Sequence, residues 1–202
     1  CGKGMHHSCD KEVDKSNMTN EQKSRCPMCR AKYPAADEEG AKLYRKWALK
    51  GKAWAQYGLG FKYENGEGME PSLEKAKEWY ERAANQNHVY AQFRLGVKYY
   101  EGHGVEQSDK KAREWYELAA NQNYAQAQFN LGDMHYDGKG VPKSYHKARE
   151  WWTKAAAQGH INAQFNLADM YEKGEGMEPS LEKAKEWYAK AAEQGDEGAI
   201  SQ

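Results

Sequence analysis

The chain has 202 residues, with 30 lysines and arginines balancing 30 aspartates and glutamates, so its formal charge is zero. That balance gives no general pull toward nucleic acid or an anionic membrane, and no apolar run approaches the ~20 residues that a membrane-spanning helix needs. A charged fraction of 30% and a mean hydropathy of −1.12 are too polar for one thick core; they suit a thin fold that exposes part of every element. No signal-peptide pattern opens the chain. It starts on Cys1 without an initiator methionine, which reads as a fragment boundary.

All four cysteines fall before residue 30, at Cys1, Cys9, Cys26 and Cys29. Such segregation argues for a local site rather than a disulfide framework. The run C-G-K-G-M-H-H-S-C is followed, after a polar spacer, by C-P-M-C-R. Thiolates and imidazoles at these spacings are what tetrahedral zinc selects, and Cys26 to Cys29 forms a two-ligand knuckle. Zinc is the one cofactor expected, with Cys1, His6, Cys9, Cys26 and Cys29 as its ligands.

This arrangement resembles the C-terminal part of a RING finger, C-x-H-x-x-C/H-x-x-C followed by C-P-x-C. The resemblance implies two zinc sites in cross-braced wiring. One would take His6, Cys9 and two ligands preceding residue 1; the other would take Cys1, Cys26, Cys29 and a fourth ligand. The fourth position holds Lys3, where the family has histidine, so His7 or a water would have to complete that shell. It also implies ubiquitin transfer without a covalent intermediate, in the cytoplasm. Pro27 would pack against a ubiquitin-conjugating enzyme, and Arg30 would bridge that enzyme and ubiquitin.

Residues 1–33 are therefore read as a partial RING-type zinc finger and 34–40 as a linker, with Pro34 ending the zinc module. A half unit, 41–52, follows: Tyr44, Trp47 and Ala48 sit one period before Tyr80, Ala83 and Ala84. From there the chain repeats itself. Ala55, Ala91, Ala127 and Ala163 recur at a constant interval of 36 residues, as do Leu59, Leu95, Leu131 and Leu167. Fixed-period self-similarity of this length means stacked supersecondary units. The units are 53–88, 89–124, 125–160 and 161–196, and the array is taken to run to 198.

Each unit predicts two helices. In the first type, Ala91, Leu95 and Tyr99 share one face at i, i+4 and i+8. Gly102 then supplies a C-terminal stop, and Gly104 lets the chain turn again. Ser108 is the expected N-cap of the second type, as are Ser72, Ser144 and Ser180 in the other units. That helix carries Ala112, Tyr116, Ala119 and Ala120 on one face. Ala168 stands where the other units have glycine (Gly60, Gly96 and Gly132), so the requirement there is smallness rather than positive φ.

The pattern A-Q-x-x-L-G-x-x-Y, then G-x-G-V, then K-A-x-x-W-Y-x-x-A-A-x-Q-G resembles the Sel-1-like repeat, a relative of the tetratricopeptide repeat. The expected fold is all-α: an α-solenoid of antiparallel helix pairs preceded by the incomplete RING-type module. The resemblance implies a protein-interaction scaffold with no catalytic residues of its own. The combined expectation is an adaptor, or a ubiquitin-ligase-like protein, that recruits a protein client. The alternative is a non-catalytic scaffold whose zinc module only caps or dimerises the array. Neither nucleic acid nor a membrane span is expected.

The client surface is expected on a concave face lined by first-type helices, at positions that vary between copies. Arg94, Asn130 and Asn166 share one such slot; Lys62, Lys98, Met134 and Met170 share another. Elsewhere the residues point to structure. The G-E-G and G-H-G motifs recur in every unit with no preceding strand, so they read as turns rather than phosphate loops. The tryptophans at 79, 115, 151 and 187 hold fixed repeat positions and read as packing residues. His88, His103, His135 and His160 do not stand at ligand spacing. No paired-carboxylate or Ser/His/Asp constellation suggests catalysis.

Overall fold

A computed structural model describes residues 38–194. Among them every regular element is a helix: α1 (Glu38–Leu49), α2 (Ala53–Asn65), α3 (Leu73–Ala84), α4 (Val89–Glu101), α5 (Asp109–Asn121), α6 (Ala125–Asp137), α7 (Tyr145–Ala157), α8 (Ile161–Lys173) and α9 (Leu181–Glu193). Their contacts form two compact units. One runs to Leu95 and takes in His103–Val105; the other comprises Gly96–Gly102 and everything from Glu106. The zinc-ligand residues, Pro27 and Arg30 lie outside the described residues. Helix α1 starts at Glu38, inside the stretch read as linker. Nothing after Pro34 blocks a helix there, and a glycine such as Gly40 in a first turn weakens one only modestly.

Helix ends form where the repeat chemistry puts them. Ser72, Ser108, Ser144 and Ser180 are extended, and each side chain accepts from the backbone N–H three residues on, at 3.3–3.4 Å. These caps satisfy an otherwise orphaned first-turn donor. The first-type helices α2, α6 and α8 stop on Gly66, Gly138 and Gly174, all left-handed, with their N–H groups returning to Lys62, Met134 and Met170. The second glycine of each turn has a different duty. A Cβ on Gly104 would lie 2.6 Å from Leu73 Cβ, and one on Gly140 would lie 2.7 Å from the Asp109 carbonyl carbon. The G-x-G motifs are thus turns packed onto the start of a second-type helix.

Burial follows the repeat. Ala55, Leu59, Ala76 and Ala83 are fully buried in the first unit; Ala127, Leu131, Ala148 and Ala155 are their counterparts in the second. Small residues on first-type helices receive the large rings of second-type helices. A Cβ on Gly60 would stand 2.8 Å from the Tyr80 ring, one on Gly96 2.5 Å from Tyr116, and one on Gly132 2.2 Å from Trp152. None of the three glycines has positive φ, and Ala168 packs beside Tyr188 in the last copy. Smallness is what this slot demands.

One polar side chain recurs inside this apolar packing. Gln56, Gln92, Gln128 and Gln164 are buried, and each donates from Nε2, at 3.2 Å, to the carbonyl of Ala48, Ala84, Ala120 or Ala156 near the end of the preceding second-type helix. Their Oε1 atoms receive Gln86 onto Gln56 at 2.7 Å, Gln158 onto Gln128 at 2.7 Å and Gln194 onto Gln164 at 2.9 Å. Each of these three buried amides therefore ties three successive helices. Asn87 and Asn123 adopt positive φ, and their side chains accept a further bond from Gln92 and Gln128. Gly51 and Gly159 hold the same slot in the other copies, also at positive φ.

Replacing a buried amide with an isosteric apolar group strands its partners, at about 1–3 kcal/mol for each unsatisfied group. Gln128→Leu is therefore expected to lower the unfolding free energy by about 2 kcal/mol or more. Gln107→Leu, on an exposed turn, should change it little. Urea titrations of both variants check this; equal midpoints would contradict the account.

Candidate functional site

The two expected client slots fare differently. Lys62 and Lys98 are only 4% and 1% exposed, and Met134 and Met170 are equally buried. These four lie inside the chain's own packing, and Met170 also touches a cleft. The reason is helical geometry: position 62 follows Leu59 by three residues, so it shares the leucine's core face. Variation between copies there reflects packing against different neighbours. Lys62 reaches Glu67 at 3.6 Å along the buried edge. The other slot is half-buried and partly accessible. The Arg94 guanidinium lies 5.9 Å from the Phe61 ring centre. Asn130 accepts from Gln126 at 3.2 Å, and Asn166 donates to Asp133 at 3.5 Å.

Asn166 and Met170 help line a cleft of about 330 Å³ in the second unit. Helix α6 contributes Asp133, Tyr136 and Asp137; α7 contributes Trp152; α8 contributes Asn166, Asp169 and Met170. Tyr100, in the last turn of α4, and Glu175, in the turn after α8, complete the lining. Two first-type helices and the intervening α7 therefore supply most of the wall, because the 36-residue period brings like positions of successive copies side by side.

The cleft arises where the repeat departs from itself. Trp152 replaces the tyrosine found at 80, 116 and 188. Tyr80 and Tyr188 donate to Glu64 and Glu172, one helical turn past Gly60 and Ala168. The indole N–H of Trp152 points elsewhere: it is shared between Asp133 Oδ1 at 3.0 Å and the Phe129 carbonyl at 3.2 Å. The slot of Glu64 and Glu172 holds Tyr136 here, as it holds Tyr100 in the copy before, and the Tyr136 hydroxyl donates to both oxygens of Glu175, at 2.8 and 3.0 Å. Tyr136 packs on the indole at 5.3 Å between ring centres.

Burial pushes the Asp133 carboxyl up to about 7; the Trp152 hydrogen bond opposes this, and Asp137 adds to it. Burial and the Glu175 carboxylate together push the Tyr136 phenol up to about 12. At the rim, Lys139 pairs with Asp137 at 3.4 Å, and Lys173 pairs with Asp169. Among the described residues no three His, Cys, Asp or Glu side chains converge as a metal site. The carboxylates are spread around the cleft, and their chemistry is that of a cation-receptive, aromatic-walled surface. Outside it, His160 has a structural role. It caps α8 through Nδ1, stacks on Phe129 at 4.5 Å and meets Gln126 through Nε2 at 3.0 Å. Burial lowers its proton affinity, as a capping acceptor requires.

The Sel1 repeat pattern matches residues 55–88, 89–124, 125–160 and 161–196. The chain belongs to the Sel1 repeat family. Two solved structures carry the likeness at the level of sequence. A protective antigen of uropathogenic Escherichia coli, described as displaying an SLR fold, is 37% identical with a TM-score of 0.77, over 79% of this chain and 34% of that one. A Sel1 repeat protein from Oxalobacter formigenes is 34% identical with a TM-score of 0.74, over 81% of this chain and 65% of that one. Cysteine-rich protein B of Helicobacter pylori shares the fold at 22% identity and a TM-score of 0.52, over 64% of this chain and 92% of that one. The chain thus spans about a third and just under two thirds of the first two. No curated protein matches it. The fold is an all-α solenoid of Sel1 repeats, which supports a protein–protein interaction scaffold. No described helix is long and apolar enough to cross a membrane.

Asp133 holds its proton more tightly folded than unfolded, since its folded value of about 7 exceeds the ordinary aspartate range. Stability should therefore rise as pH falls from about 7 toward about 4, and the buried charge should cost most above about 7. Asp133→Asn removes the charge and keeps an oxygen acceptor for Trp152. Its stabilising effect at pH 8 is expected to exceed that at pH 5 by about 1–3 kcal/mol. Chemical unfolding at both pH values measures this; an equal effect at both would refute it.

Proposed function

We propose that this Sel1 repeat chain recruits a protein client on the face built by its first-type helices and serves as an adaptor in cytoplasmic ubiquitin transfer. The cleft between α6 and α8 carries the first half of this reading: it is a polar, aromatic-walled recess on a repeat scaffold. The second half is supported by the donor set in the sequence. Cys1, His6, Cys9, Cys26 and Cys29 offer thiolates and an imidazole at zinc-selecting spacing. Zinc held there would order the N-terminal segment, and Pro27 and Arg30 would meet a ubiquitin-conjugating enzyme. The alternative, a scaffold whose zinc module only caps or dimerises the array, is favoured by Lys3, which occupies a RING ligand position without being a zinc ligand.

The repeats contain no cysteine, and about thirty polar residues cannot offset their own chain entropy by burial. Chelation is therefore expected to release zinc and expose residues 1–30 to protease while the far-ultraviolet helix signal persists. Loss of most helicity on chelation would contradict that division. For the adaptor itself, the full-length protein should accelerate ubiquitin discharge from a loaded conjugating enzyme, and Arg30→Ala should slow it. A zinc-loaded, folded protein inert with every conjugating enzyme tried would leave the capping role standing.

A further inference from the structure

We propose that the cleft between α6 and α8 is a receptor for a lysine or arginine side chain in a basic segment of the client, with Asp133 and Glu175 as its counter-charges and Tyr136 and Trp152 as its wall. This rests on the scaffold reading and names the chemistry of what the scaffold holds.

The lining carries four carboxylates, Asp133, Asp137, Asp169 and Glu175, together with three aromatic rings, and no lysine or arginine. Two of those carboxylates are matched at the rim, Asp137 by Lys139 and Asp169 by Lys173. The other two receive neutral donors: Trp152 and Asn166 serve Asp133, and Tyr136 serves Glu175. Asp133 is thus a partly buried carboxylate held in place by groups that do not neutralise it. A cation entering the cleft would supply what these donors cannot. The adjoining rings suit an aliphatic stem ending in a cation.

An internal comparison between two copies makes the missing group explicit. Tyr100 and Tyr136 occupy one repeat slot, and position 139 precedes 175 by one period. In the earlier copy, Lys139 Nζ donates to the Tyr100 hydroxyl at 2.9 Å, lies 5.3 Å from that ring's centre and meets Asp137 at 3.4 Å. An ammonium is held there by a tyrosine and an aspartate. In the next copy the tyrosine is present as Tyr136, but the lysine's slot holds Glu175. Lys143 lies 5.4 Å from the Tyr136 ring centre and 4.7 Å from that of Tyr145; it feels the Glu175 and Asp137 carboxylates but is not itself part of the lining. The second copy keeps the tyrosine, carries Lys173 in the slot of Asp137, where it pairs with Asp169, and replaces the ammonium with a further carboxylate. The spread of the carboxylates, which form no three-ligand metal cluster, suits an extended organic cation. A volume of about 330 Å³ lies at the small end of ligand sites, about 300–1,000 Å³, as one anchoring side chain requires.

Binding should also depend on pH. Asp133 must shed its proton to pair with the cation; the other charged groups around it are Asp137, Asp169, Glu175, Lys139, Lys143 and Lys173. The test is fluorescence anisotropy with a labelled Gly-Ser-Arg-Lys-Arg-Ser-Gly peptide. Its control replaces arginine with citrulline and lysine with acetyl-lysine. The basic peptide is expected to bind at least about tenfold more tightly than the neutral one, a difference of about 1.4 kcal/mol. Asp133→Asn should lose about the same factor. Glu186→Gln, which removes an equal charge from the exposed side of α9, should bind as the unaltered protein does. Affinity should fall from pH 8 to pH 6 in the unaltered protein and stay flat in Asp133→Asn. Equal binding of both peptides, or equal losses in the two variants, overturns the proposal. A client that crosslinks to the first-type helices yet ignores Asp133→Asn would also overturn it while leaving the scaffold reading intact.

Discussion

The buried glutamine of each unit, at 56, 92, 128 and 164, is the interaction on which the array depends. A carbonyl near the end of each second-type helix would otherwise face an apolar interior, where an unpaired polar group costs about 1–3 kcal/mol. The amide N–H of Gln56, Gln128 or Gln164 answers that carbonyl, and the amide oxygen takes the glutamine at the end of the next second-type helix. Alanine and leucine packing supplies most of the burial, but such packing is tolerant of sliding. A directional bond at a fixed depth sets where one helix stops against the next. The apolar faces, the serine caps and the glycine turns all work within that spacing.

A repeat built this way can carry local costs. Stability in such arrays is a sum of unit and nearest-neighbour terms, so a disfavoured group in one copy penalises that copy and its contacts. Asp133 is such a group, held partly charged in a half-buried place by a tryptophan that stands where its sister copies have tyrosine. Its neighbours Tyr136 and Glu175 repeat Tyr100 and Glu67 of other copies, so the tryptophan is the local change beside this recess.

The same logic separates the two kinds of variation seen along the first-type helices. Differences at positions 62, 98, 134 and 170 are buried and answer to internal packing. Those at 94, 130 and 166 are half-buried and bonded to neighbours within the chain. Of these, Asn166 reaches a cleft carboxylate, Asp133, whose hydrogen-bond donors are all neutral.

The sequence by itself determined the helices, their order and their ends, because the 36-residue period, the alanine and leucine spacing and the serine and glycine punctuation are local signals. It also determined that glycine at 60, 96 and 132 is there for its size, since Ala168 serves the same slot. What the tertiary structure alone decided is which variable positions face outward and which face in. Lys98 looks like a surface residue in any linear reading, yet it lies three residues after Leu95 on the core face and is 1% exposed. The cleft was illegible for a related reason. Trp152 reads as one more packing ring until its indole N–H is seen turned to Asp133, and Tyr136 to Glu175, 39 residues on. Hydrogen-bond direction across helices has no periodicity in sequence, so only the packed helices could assign it.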